Sequence, residues 1–144
     1  MEFRQAVNLF NEGFSCSQAI LTTFAPRFGV SKETALKIAC AFGAGMGRMG
    51  EVCGAVSGAF MVLGLKYGAI EAQDRDSKEM TYALVKRFTE SFQERHGSIL
   101  CRELLGCSIG TPEGMQYARE KNLFTSRCPR YVQDSAEILL ELLG

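Results

Sequence analysis

The sequence predicts an all-α fold, a compact bundle of about seven or eight helices forming one cysteine-rich domain over residues 1–144. Three observations carry this. Apolar residues recur at helical rather than alternating spacing. Helix start and stop signals punctuate the whole chain. No segment reads as a convincing strand, and only three prolines interrupt the pattern.

The first helix covers roughly Glu2 to Asn11, with Phe3, Val7 and Phe10 on one face and Gly13 as a stop. The second starts at Ser15, which has capping-box spacing to Gln18, and Pro26 and Gly29 close it. The third follows the N-cap Ser31 and runs to about Phe42. A glycine-rich loop, Gly43 to Gly50, leads into a fourth helix from Glu51 to about Tyr67, stopped by Gly68. The fifth is long, from about Asp76 to Arg95, and Gly97 ends it. Ser98 caps a short sixth helix through Leu105, and Gly106 stops it. Thr111-Pro112-Glu113 starts the seventh, with proline at its first position. Pro129 opens the last, which carries Val132, Ala136, Leu139, Leu140 and Leu143.

Composition bounds the function classes. Apolar residues make up 47% of the chain, enough for one packed interior. Sixteen basic side chains balance sixteen acidic ones, and no basic run stands out. Neither nucleic acid nor an anionic membrane surface is therefore an expected partner. The longest apolar run, Val52 to Leu65 between Glu51 and Lys66, is too short for a membrane span and reads as a core helix. Met1-Glu2-Phe3-Arg4-Gln5 lacks the features of a signal peptide. The expected location is the cytoplasm.

The glycine loop contains Gly45-Met46-Gly47-Arg48-Met49-Gly50, a literal GxGxxG. That motif marks a dinucleotide site only after a strand in a βαβ unit, and a helix precedes it here. The loop is expected to join the third and fourth helices without binding a dinucleotide. Two readings stay open: a tight turn needing positive φ at several positions, or a backbone approaching a ligand closely. The fourth helix is dense in small residues, and Gly54 and Gly58 share a face. Close packing by another helix explains them, as does room for a bound group. His96 is the only histidine and lies at a helix C-terminus, where a solvated, non-catalytic role is expected.

Six cysteines are many for a cytoplasmic domain. Cys16, Cys53, Cys101 and Cys128 fall at predicted helix N-termini, which stabilise a thiolate. The thiolate is both nucleophile and metal ligand. Cys40 lies late in the third helix, and Cys107 follows the sixth. No C-x-x-C pair occurs, so neither a zinc ribbon nor a thioredoxin-type site is expected.

The sequence also resembles the redox-active proteins named for the C_GCAxxG_C_C cysteine pattern. The resemblance covers nearly the whole chain. It rests on Gly13-Phe14-Ser15-Cys16-Ser17-Gln18-Ala19, on Gly45-Met46-Gly47-Arg48, and on Gly50-Glu51-Val52-Cys53-Gly54-Ala55-Val56-Ser57-Gly58. Cys101-Arg102-Glu103-Leu104-Leu105-Gly106 and Cys128 complete it. The central block reads Cys-Gly-Ala-x-x-Gly, where the family label orders the first two letters the other way. The resemblance implies redox activity centred on Cys16, Cys53, Cys101 and Cys128, and it names no substrate.

The resulting expectation is that these four cysteines meet in one pocket, with Cys53 close to one or two of the others. They serve as catalytic thiols or metal ligands. The leading model is an iron–sulfur cluster or other thiolate-bound metal passing electrons, with Gly45, Gly47, Gly54 and Gly58 giving the group room. The alternatives are a metal-free dithiol and a helical partner-binding protein with inert cysteines. Expected partners are a redox protein or a small thiol, and self-association is left open. In the metal-free reduced protein, at least one of the four is expected to alkylate faster than Cys40, through the effect of helix N-termini on thiol pKa.

Overall fold

Helices satisfy the backbone of most of this chain, as the periodicity requires. The structure, a computed structural model describing all of residues 1–144, is 74% helical with eight helices and no strands. They are α1 (Glu2–Asn11), α2 (Cys16–Phe24), α3 (Lys32–Cys40), α4 (Gly54–Tyr67), α5 (Arg75–His96), α6 (Cys101–Leu105), α7 (Pro112–Glu120) and α8 (Cys128–Leu143). A 3-10 turn, Ala25–Phe28, follows α2, and a single helical turn, Leu123–Ser126, precedes α8. No helix is long and apolar enough to cross a membrane.

The most apolar helix occupies the centre, as expected for a helix with no polar face. Residues Gly54 to Ala59 of α4 are all buried, and Val62 and Leu63 continue the core. Helices α2, α5 and α8 pack around it, and α1 lies across α2 and α8. The small residues serve close packing against α2. A Cβ added at Gly58 would lie 3.0 Å from the Ser17 carbonyl and 3.2 Å from Ile20 Cβ. One at Gly54 would lie 2.8 Å from the Ser17 nitrogen.

Several caps form as the sequence predicts. Ser15 and Gln18 make the reciprocal capping box, while Ser31 and Thr111 cap α3 and α7 through their side chains. Others differ. Helix α4 begins at Gly54 rather than Glu51, because the preceding residues pair with another segment. Val52 and Leu100 form an isolated antiparallel bridge. Cys53 N–H donates to the Ile99 carbonyl at 2.8 Å, and Cys101 N–H to that of Glu51 at 2.7 Å. The same pairing delays α6 to Cys101, so Ser98 accepts from Leu100 N–H rather than capping the helix directly.

Helix α3 ends at Cys40, short of Phe42, and the chain then turns left-handed. Ala44, Gly45, Met46, Gly47 and Arg48 all have φ between +58° and +70°. Three of the five are not glycine, and the left-handed region costs an L-residue about 1–2 kcal/mol. The loop joins α3 to α4 as expected, and no strand precedes it. Its glycines also meet a steric demand. A Cβ at Gly43 would lie 2.6 Å from Ser15 Cβ, and one at Gly45 would lie 2.6 Å from Cys101 Cβ.

Candidate functional site

Three local ties bring four helix beginnings together. Gly54 lets the start of α4 sit against the start of α2, within 3.1 Å of Cys16 Cβ as measured from an added Cβ. The Val52–Leu100 bridge holds the start of α6 beside the start of α4. Ser135 Oγ on α8 donates to the Ala55 carbonyl on α4 at 2.7 Å, which fixes the first turns of α8. Cys16, Cys101 and Cys128 are the first residues of their helices, and Cys53 is the N-cap of α4.

All four line a single cavity of about 130 Å³. Its wall is apolar, supplied by Phe10, Leu104, Leu105, Ile109, Phe124 and the ring of Tyr131. Ala44, Gly45 and Gly54 contribute backbone to the lining. Cys53, Cys101 and Cys128 are at most 7% exposed, and Cys16 is half-buried. Of the glycines expected to give a bound group room, Gly45 and Gly54 line the cavity. Gly47 lines a separate outer cleft, and Gly58 packs on α2.

The thiols are not equivalent. Hydrogen bonding with Cys16 favours the Cys53 thiolate and outweighs the opposing effect of burial. The Ala55 and Val56 amides at the start of α4 add to this, so Cys53 is held below the ordinary thiol value. Neither amide forms a regular side-chain cap, since Val56 N–H donates to the Cys53 carbonyl at 2.9 Å. Cys16 is the opposite member of the pair. Hydrogen bonding to Cys128, then to Cys53, together with burial, holds its thiol well above the ordinary value. Burial first, then the nearby Cys53, Cys128 and Cys107, pushes Cys101 up to about 12.

Cys40 lies outside this group and is exposed at the end of α3, so it lacks the burial that would have slowed its alkylation relative to the other four. Exposure governs access for a reagent before thiolate character does. Cys107 is half-buried and does not line the cavity.

The backing of the site leaves only a faint mark in the sequence. Tyr131, one turn beyond Cys128, donates to the Leu104 carbonyl at 2.9 Å, and burial raises its phenol above the ordinary value. Behind it lies His96, with its ring centroid 4.9 Å from that of Tyr131 and 4.8 Å from that of Phe92. His96 Nε2 bonds Asp134 Oδ2 at 2.8 Å. The imidazole is 12% exposed, so His96 is a packed, paired residue and not a solvated one. Its signal was present but faint: Asp134 follows Tyr131 by three residues on α8, so the two share a face.

Four soft thiolates have the right chemistry for an iron–sulfur cluster or zinc. The arrangement does not match it: no three His, Cys, Asp or Glu side chains are placed to hold a metal ion. All six cysteines are free thiols.

No curated protein and no solved structure matches the chain. A family model described as "Putative redox-active protein (C_GCAxxG_C_C)" matches residues 14–142. That span contains all four cavity cysteines, and the chain belongs to the C_GCAxxG_C_C family of redox-active proteins.

Proposed function

We propose that the protein is a metal-free dithiol oxidoreductase in which Cys53 attacks and Cys16 resolves. The observation that carries this is geometric: Cys53 at the N-cap of α4 and Cys16 at the first position of α2 line one apolar cavity, Gly54 lets the two helix starts meet, and hydrogen bonding with Cys16 favours the Cys53 thiolate. A nucleophilic thiol needs thiolate character, whereas its partner acts only after the first bond has formed. In the cycle, Cys53 Sγ bonds to the oxidising group of the substrate and its leaving group departs. Cys16 Sγ then bonds to Cys53 Sγ, displaces what remains of the substrate, and loses its proton. Two electrons pass from the dithiol to the substrate. A redox protein or a small thiol returns the pair to its reduced form, in a compartment that keeps thiols reduced, such as the cytoplasm.

Peptide mapping of protein titrated with a mild oxidant tests the reading. The expected product is a Cys16–Cys53 disulfide, lost in Cys53→Ser and retained in Cys40→Ser. A folded protein that forms no bond between cavity cysteines under any oxidant refutes it.

The metal-centred reading draws support from the number of thiols. Four cysteines share the cavity, and a dithiol needs two. Purification without oxygen, followed by iron, zinc and sulfide analysis, separates the two readings. Stoichiometric metal that Cys101→Ser and Cys128→Ser both abolish would favour a ligand set.

A further inference from the structure

We infer that the substrate of the cavity dithiol is a small, uncharged hydroperoxide; this rests on the dithiol reading above. Size is the first argument. A closely similar apolar cavity of about 150 Å³, engineered in another protein, holds benzene, and this one measures about 130 Å³. It therefore accommodates a molecule of a few heavy atoms beside the Cys53 sulfur, but neither half of a peptide disulfide.

Charge is the second argument. No Asp, Glu, Lys, Arg or His lines the cavity. Its two hydroxyls are already engaged: Tyr131 donates to the Leu104 carbonyl, and Ser15 Oγ bonds Ser17 and Gln18. A carboxylate or ammonium group brought here would lose its hydration without a partner, at a cost of several kcal/mol. A protein disulfide meets a barrier of access instead, since Cys53 is 5% exposed.

The steps balance. The Cys53 thiolate attacks the terminal oxygen of ROOH, an S–O bond forms and the O–O bond breaks. The alkoxide takes a proton from solvent water and leaves as ROH, with hydroxide released to solvent. Cys53 is then a sulfenic acid. The Cys16 sulfur bonds to the Cys53 sulfur, the S–O bond breaks, and the Cys16 proton leaves with the hydroxide as water. The hydroperoxide gains two electrons and the dithiol loses them.

The test measures the rate of Cys16–Cys53 disulfide formation in the intact reduced protein, by quenching and peptide mapping. Ethyl hydroperoxide, bulky cumene hydroperoxide and oxidised glutathione are compared at equal concentration. Ethyl hydroperoxide should act at least about tenfold faster than either of the others, the discrimination an apolar pocket gives for extra bulk. Phe124→Ala, at a half-buried position of the lining, should raise the cumene hydroperoxide rate severalfold. The ratio of its ethyl to its cumene hydroperoxide rate should therefore fall severalfold. Equal rates for the two hydroperoxides, or a faster reaction with glutathione disulfide, would overturn the substrate class and leave the dithiol standing. Absence of the disulfide with all three oxidants would remove the dithiol reading itself.

Discussion

Replacing Gly45 by alanine perturbs the turn and the site together. The backbone there has φ +68°, and a Cβ would lie 2.6 Å from Cys101 Cβ and 3.0 Å from the Glu51 nitrogen. The conformational part costs about 1–2 kcal/mol. The steric part cannot be relieved by rotating a side chain, because the atoms it meets are a Cβ and backbone. Overpacking of that kind costs about 1–3 kcal/mol, so Gly45→Ala should destabilise the fold by about 2–5 kcal/mol in sum. Gly47→Ala is the internal control. It has φ +64°, and the nearest atom to its added Cβ is the Ala41 carbonyl oxygen at 3.8 Å. It should lose only the conformational part, about 1–2 kcal/mol. Urea unfolding of both variants under reducing conditions reads the difference. Pairing Gly45→Ala with Cys101→Gly removes the clashing Cβ, and the double-mutant cycle should return part of the steric loss. Equal losses at the two glycines, with no coupling to position 101, would refute the claim that Gly45 exists to let Cys101 approach.

Three further outcomes follow from the geometry. In a short alkylation pulse on reduced protein, exposed Cys40 should label before Cys53, Cys101 and Cys128, and mild denaturant should abolish the order. Stability should fall at alkaline pH. Cys101 has a raised folded-state value, so its contribution is complete below the unfolded thiol value of about 8.5 and is lost as pH rises toward about 12. Cys101→Ala should flatten that fall in urea titrations at about pH 8 and about pH 11, and an unchanged slope would count against it. Ser135→Ala removes a buried bond to the Ala55 carbonyl and should cost about 1 kcal/mol by the same assay.

The helices were legible because each announces itself locally. Ser15, Ser31, Thr111 and Gly97 act within a few residues of where they stand. The convergence of Cys16, Cys53, Cys101 and Cys128 was legible only indirectly, through their shared position at helix starts. What stayed hidden depends on partners distant in the chain. Nothing near Glu51 reveals that its carbonyl awaits the Cys101 amide, so α4 starts three residues later than its local sequence signals indicate. The sequence places His96 at a helix end, where solvation is the ordinary outcome, and only the packing of α5 against α8 supplies Asp134. The exposure of Cys40 likewise follows from which face of α3 meets α2.

The two hydrogen bonds of the Val52–Leu100 bridge join segments nearly fifty residues apart, and the first and last cavity thiols lie farther apart still. Non-local pairing of this kind forms slowly, because loop-closure entropy must be met before the contacts reward it. A chain emerging during synthesis therefore has its helices before it has its cavity. Until α8 docks, Cys53 lacks the enclosure that separates it from Cys40, and large oxidants reach it as freely as small ones. The selectivity proposed for this site would thus be acquired last, and a pulse of bulky oxidant during refolding would record the moment it appears.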